Sequence, residues 1–169
     1  MITFDEVRQN LKNNGEFSTL AEARLAVLEN REKGITCPCC DKFARSYRRK
    51  FNATMTRSLI WLVRSWKNTQ TWVDVPSTAP RWLVRSNQLP TVRWWDLIER
   101  CPNDNPEVKH SGLWRPTQKG LEFAYKRIKI PAKALTYDGK VIALEGDLVT
   151  IEDTLGTKFD YAELMGDQG

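Results

Sequence analysis

An α+β fold, with a winged helix-turn-helix core, is what the order of elements predicts for this 169-residue chain. Three observations carry that expectation. An amphipathic helix from Asn52 is followed by a short strand, two short helical segments, a polar-tipped hairpin and another helix. Ahead of this core, a helical hairpin leads to a Cys-Pro-Cys-Cys knuckle. Behind it, the Asp138-Gly139 dipeptide sits between two strand-like runs and announces a small antiparallel sheet. The expected segments are an N-terminal helical extension over 1–36, a Cys-containing basic segment over 37–50, the winged-helix domain over 51–129 and a C-terminal β appendage over 130–169.

Each element has a local reason. Phe4, Val7 and Leu11 recur at helical spacing, and Thr19 with Glu22 forms a capping-box pattern that opens a second helix, Thr19 to Lys33, stopped by Gly34. Leu20, Leu25, Val27 and Leu28 are its apolar positions. The basic run of Lys42, Arg45, Arg48, Arg49 and Lys50, broken by Phe43 and Tyr47, suits either a strand or a helix. Met55, Leu59, Leu62, Val63 and Trp66 then fall on one helical face, the mark of a core helix. Trp72 to Val75 alternates as a strand closed by Pro76. Residues 78–87 present Arg81 and Arg85 on one side and Trp82 and Leu83 on the other, and Pro90 opens a third helical segment that reaches Trp94, Trp95 and Leu97. Leu97 to Arg100 and Gly112 to Arg115 flank a turn-rich loop, and Pro116 to Gly120 opens a helix carrying Leu121, Phe123, Ala124 and Ile128. In the C-terminal segment, residues 134–137, 140–144 and 148–151 are expected as three strands. Asp160 and Glu163 are spaced as a capping pair for a closing helical turn.

Charge is unevenly spread. Residues 41–100 hold twelve Lys and Arg against four Asp and Glu, a local net of +8, whereas residues 1–40 come to −1 and 101–169 to −2. Six of the seven tryptophans lie in the same stretch. Cations interleaved with flat aromatic rings suit a polyanion, because Lys and Arg displace counterions from phosphates. The other reading is that tryptophan fills the core and arginine covers it. No apolar run approaches the length of a membrane span, and Asp5 and Glu6 follow Met1 where a signal peptide would be basic, so a cytoplasmic, non-membrane protein with reduced or metal-bound cysteines is expected.

A resemblance adds to this reading. Trp95-Asp96-Leu97-Ile98-Glu99, a polar hairpin, and then Leu113-Trp114-Arg115-Pro116-Thr117-Gln118-Lys119-Gly120 resemble the wing region of MarR- and PadR-type winged-helix regulators across residues 52–128. The chain departs from them in its short second helix and in the Leu89-Pro90 break before the third. The Cys-Pro-x-Cys segment, Arg48-Arg49-Lys50-Phe51-Asn52 and Lys158-Phe159-Asp160-Tyr161-Ala162-Glu163-Leu164-Met165 are similar to segments of a family of small phage and prophage proteins. These resemblances imply a DNA-binding regulator or accessory factor acting in the cytoplasm of a bacterial host.

The candidate nucleic-acid contacts are therefore Arg45, Arg48, Arg49 and Lys50 before the core helix, Arg81 and Arg85 on the second helix, Arg93 at the third, and Arg100 and Lys109 on the hairpin. Most would meet phosphates of duplex DNA, and Arg93 is the expected base reader, since guanidinium binds the two guanine acceptors bidentately. Trp94 and Trp95 cannot both pack inward, so one is expected at a surface as a partner or dimer contact. That pair carries the alternative reading, a module that engages a host or phage protein through a Trp/Arg face; single-stranded nucleic acid stacked on tryptophan is a third. Cys37 and Cys40 have the spacing of a zinc knuckle, with Cys39 as an alternative ligand, and Cys101 and His110 are the remaining candidates for a zinc site. Against it stand a buried apolar thiol for Cys101 and a solvated loop residue for His110. A single histidine, no glycine-rich phosphate loop and no nucleophile elbow leave no catalytic residues to name, and a non-enzymatic protein is expected.

Overall fold

A computed structural model describes residues 19–166 and divides them into two units, one comprising residues up to Arg48 together with Leu135–Lys140, the other Arg49–Ala134 together with the chain from Val141 onward. The helix expected around Phe4, Val7 and Leu11 lies outside the described residues. The architecture is mixed α+β, with three small sheets, and none of the described helices is long and apolar enough to cross a membrane.

In the first unit, helix α1 spans Leu20–Asn30. Thr19 caps it in a reciprocal box: its hydroxyl accepts from the Glu22 amide at 3.2 Å, and the Glu22 carboxylate accepts from the Thr19 amide at 2.9 Å. Only Ala23 and Val27 are buried on this helix, whereas Leu20, Leu25 and Leu28 stay exposed. Strands β1 (Ile35–Thr36) and β2 (Phe43–Ala44) pair antiparallel around the cysteine turn, Ile35 opposite Ala44 and Thr36 opposite Phe43. The basic run resolves as strand β3, Tyr47–Lys50.

The second unit is organised by α2, Ala53–Thr69. Asn52 caps its start by accepting from the Met55 amide at 3.0 Å, and Gln70 ends it in the left-handed region at φ 54°. Met55, Leu59, Leu62 and Val63 face the core as their spacing predicts, joined by Ile60, while Trp66 is only partly buried. Two buried hydroxyls on this face are satisfied by back-bonding or pairing: Ser58 donates to the Thr54 carbonyl at 2.8 Å, and Thr56 meets Thr154 at 2.8 Å.

After α2 come β4 (Val73–Asp74), a single turn α3 (Val75–Thr78), α4 (Arg81–Ser86), α5 (Leu89–Val92) and a 3-10 turn over Arg93–Trp95. Strand β5 (Ile98–Arg100) and strand β6 (Leu113–Pro116) form the hairpin, and β4 joins its far side, so the sheet runs β4–β6–β5. Trp114 faces Val73 on one side and Arg100 on the other. Helix α6, Gln118–Ala124, is capped by the Thr117 hydroxyl, which accepts from the Gly120 amide at 3.0 Å.

The core is built on aromatic edges. Phe51 stands nearly perpendicular to Trp95, with ring centroids 4.9 Å apart, and to Phe123 at 5.7 Å. The Trp95 indole N–H donates to the Pro131 carbonyl at 2.7 Å, which removes the cost of burying that donor. Gly120 lets α6 lie directly on the chain leaving Trp95: a Cβ there would overlap the Leu97 carbonyl oxygen and come within 2.8 Å of its carbon.

The C-terminal segment differs from expectation. Strand β7 (Ile130–Tyr137) and β8 (Lys140–Val149) flank the Asp138-Gly139 turn, but β8 runs unbroken through Gly146, and the third strand of the sheet β3–β7–β8 comes from the basic segment. Ile151, expected in a strand, begins α7 (Ile151–Leu155) instead. Thr150 and Asp153 form a capping box there, and helical Ile151 and Leu155 reach the main core. The same box holds the Asp153 carboxyl below its usual range, through the Thr150 backbone N–H first and the Thr150 hydroxyl second. Helix α8 (Tyr161–Met165) is capped by Asp160, which accepts from the Glu163 amide at 2.8 Å.

Two stability outcomes follow from the core. Trp95→Phe should cost about 2 kcal/mol, the toll of leaving the Pro131 carbonyl without its donor, and Gly120→Ala about 3 kcal/mol through backbone overlap. Urea unfolding of each variant checks both; a Gly120→Ala variant as stable as the parent would show that α6 does not rest on Leu97.

Candidate nucleic-acid interface

The hairpin between β5 and β6 carries the best-defined cationic surface of the second unit. Its loop is held by its own asparagines: Asn103 donates to the carbonyls of Asn105 at 3.1 Å and of Val108, and the Asn105 side chain accepts from the Glu107 amide at 3.0 Å. At its base the Cys101 amide donates to the Leu113 carbonyl at 2.9 Å and the Ser111 hydroxyl to the Cys101 carbonyl at 2.8 Å. The polar tip predicted from Pro102 to Pro106 is thus a structured projection.

Three predicted contacts converge here. The His110 imidazole is held below its ordinary pKa by desolvation and then by the positive charges of Arg100, Lys109 and Arg93. Arg93 heads the 3-10 turn, Arg100 ends β5 and Lys109 lies in the loop, so residues separated by up to sixteen positions act on one imidazole. Arg93 and Lys109 are exposed, while Arg100 lays its guanidinium 5.2 Å from the Trp114 ring centroid and is half-buried. Such a cluster of like charges is unfavourable by itself and becomes favourable when a polyanion covers it.

The other candidates are placed separately. Arg81 and Arg85 project from α4, four residues apart and both exposed. Arg49 and Lys50 are exposed on β3 in the second unit; Arg45 and Arg48 belong to the first, where Arg48 approaches Glu32 at 3.9 Å. Two arginines outside the predicted set are taken up by the fold. Arg57 is sandwiched between Trp82 and Phe159, 4.2 Å from each ring, and Arg115 pairs with Glu99 at 2.6 Å while lying 4.3 Å over Trp72. Their places depend on ring neighbours distant in sequence, except for Glu99 and Arg115, whose pairing follows from the hairpin register.

The tryptophan pair divides. Trp95 is fully buried beside Phe51, so it is the member of the pair that packs inward. Trp94 is partly buried against the core, its ring 6.4 Å from Trp95.

The cysteines are free thiols. Among the described residues no three His, Cys, Asp or Glu side chains group as a metal site; Cys37 and Cys40 belong to one unit, Cys101 and His110 to the other.

The single histidine makes the cluster measurable. Its NMR titration midpoint should lie below that of a free imidazole and rise in Arg100→Ala and Lys109→Ala, since each removes a repelling charge. Because the folded-state value is lowered, the associated stability is complete above the ordinary imidazole pKa and is lost as pH falls through the lowered one. An unshifted midpoint in both variants would dissolve the cluster. Compared with known proteins, the chain matches no family model, no curated protein and no solved structure.

Proposed function

We propose that this protein is a winged-helix-type, non-enzymatic binder of duplex DNA, with the β5–β6 hairpin as the wing, serving as a regulator or accessory factor. The single observation that carries the reading is that Arg93 and Lys109 are exposed and Arg100 half-buried on the β5–β6 hairpin and the turn that leads into it. The element order supports it: a core helix, a strand, short helices, and a hairpin whose second strand lies between the first strand and its own partner, the sheet β4–β6–β5. In such an arrangement the wing and the segment before it lie side by side, so that both can reach one DNA backbone.

Function follows from charge and shape. Arg100 and Lys109 contact phosphates from the wing, Arg81 and Arg85 add phosphate contacts from α4, and Arg93 is the base reader, a guanidinium at the head of a short turn. The segment Leu89–Trp95 comprises one helical turn and a 3-10 turn, a short recognition element. Phosphate contacts therefore dominate, and binding is strongly salt-dependent with weak sequence preference. The exposed basic strand β3 extends the same chemistry.

Binding to labelled random duplex, measured across a salt series, should give a dissociation constant on the order of micromolar at physiological salt. The logarithmic salt slope should be smaller by roughly three in Arg93→Ala/Arg100→Ala/Lys109→Ala. Saturating duplex should raise the His110 midpoint, as phosphates replace the net positive field. Absence of binding at low salt, or an unchanged slope in the triple variant, would sink this reading; a salt-insensitive complex with a protein that is lost in Trp94→Ala would favour a protein-binding role in its place.

A further inference from the structure

We propose that Arg57, held between the rings of Trp82 and Phe159, is a preformed binding site for a phosphate group. Helix α2 supplies the arginine, α4 one ring and the segment leading into α8 the other, so three elements of the second unit make the site. All three side chains are half-buried, which puts the slot at the surface of the unit. The guanidinium carbon lies 4.2 Å from each ring centroid. At that distance the rings replace water over the faces of the cation, and only the rim that carries its N–H donors is left to bond.

The rim has no partner in the chain. Among the described residues Arg57 makes no hydrogen bond and no ion pair, and its Nε is buried without an acceptor. The two terminal nitrogens do not share that burial, so the fork is open end-on. Helix α4 carries no carboxylate, and Asp160, next to Phe159, is engaged at the start of α8, where it accepts from the Glu163 amide at 2.8 Å. Arg115 shows the ordinary arrangement: it too lies over a tryptophan, and it is paired with Glu99 at 2.6 Å. A cation taken out of water is matched by a counter-charge, and for Arg57 that charge must come from outside. Packing alone does not account for the residue, since a methionine would fill a slot between two rings without an orphaned donor.

The ligand follows from the shape and charge of the slot. Two parallel N–H donors fit two oxygens of one group, as phosphate and carboxylate both provide. Charge decides for phosphate. The residue before each ring is an exposed cation, Arg81 before Trp82 and Lys158 before Phe159, and Arg85 stands one helical turn after Arg81. A dianion gains more from that surplus than a monoanion does. The hairpin cations Arg93, Arg100 and Lys109 take no part, so the site can fail or hold independently of the duplex-binding reading.

The test is titration of inorganic phosphate into the ¹⁵N-labelled full-length protein at constant ionic strength, read at the Arg57 Nε–H and Trp82 indole N–H signals. Both should move saturably with a dissociation constant on the order of 1 mM, and sodium chloride should not reproduce the movement. Arg57→Lys keeps the charge and the stem but loses the fork, and should weaken binding roughly tenfold. Phe159→Leu, which removes one wall, should weaken it as well. No saturable movement of the two signals in the parent protein, an equal response to chloride, or undiminished affinity in either folded variant would overturn the proposal. A short duplex added to the phosphate-loaded protein identifies the source of the group. Displacement of phosphate at Arg57 assigns it to a nucleic-acid backbone, and retention of the shifted signals assigns it to free phosphate or a phosphomonoester.

Discussion

A buried tryptophan needs a partner for its indole N–H, and the second unit is arranged around how Trp95 meets that need. Its donor reaches the Pro131 carbonyl at the start of β7, while its ring packs edge-on against Phe51 just before α2. One side chain thus ties together the strand before the core helix, the 3-10 turn and the C-terminal sheet. Phe123 meets Phe51 from α6, and Gly120 allows that helix to sit on Leu97 without a Cβ in the way. Exchange of any of these groups alters the position of the chain between Arg93 and Arg100, the stretch that carries the cationic cluster.

Rigidity and charge are therefore coupled. Arg93 lies two residues before Trp95 and Arg100 five residues after it, and both are aimed by backbone that the aromatic core immobilises. Bringing cations together costs electrostatic energy, which a packed core offsets and a bound polyanion would convert into attraction. His110 feels the same charges: its imidazole is held below its ordinary pKa by desolvation first and by Arg100, Lys109 and Arg93 after it. The first unit uses a different device: its cysteine turn is closed by backbone hydrogen bonds, from the Cys37 amide to the Lys42 carbonyl and from the Asp41 amide to the Cys37 carbonyl.

Local signals were legible wherever a pattern was self-contained. The capping box at Thr19, the Asp160 cap, the Asn52 start of α2, the Asp138-Gly139 turn and the hairpin around residues 101–112 all rest on neighbours within a few positions, and they lie where spacing put them. Ile151 shows the opposite case. Its β-branched side chain and apolar neighbours read as strand, yet the Thr150–Asp153 box and a fully buried place in the core draw it into a helix. The basic run had no decisive period, and only pairing in the sheet with β7 settled it as strand.

What the sequence determined by itself is the core helix, the two hairpin turns, the concentration of positive charge in the middle third and the thiol spacing, because each depends on residue identity and short-range geometry. What tertiary structure alone decided is which groups meet. It buried Trp95 and left Trp94 partly accessible, locked Arg57 between Trp82 and Phe159, and laid Arg100 over the Trp114 ring. Contacts of that kind join segments up to about a hundred residues apart, and no periodicity in the chain encodes them; they exist because a close-packed core admits few ways of bringing the same side chains together.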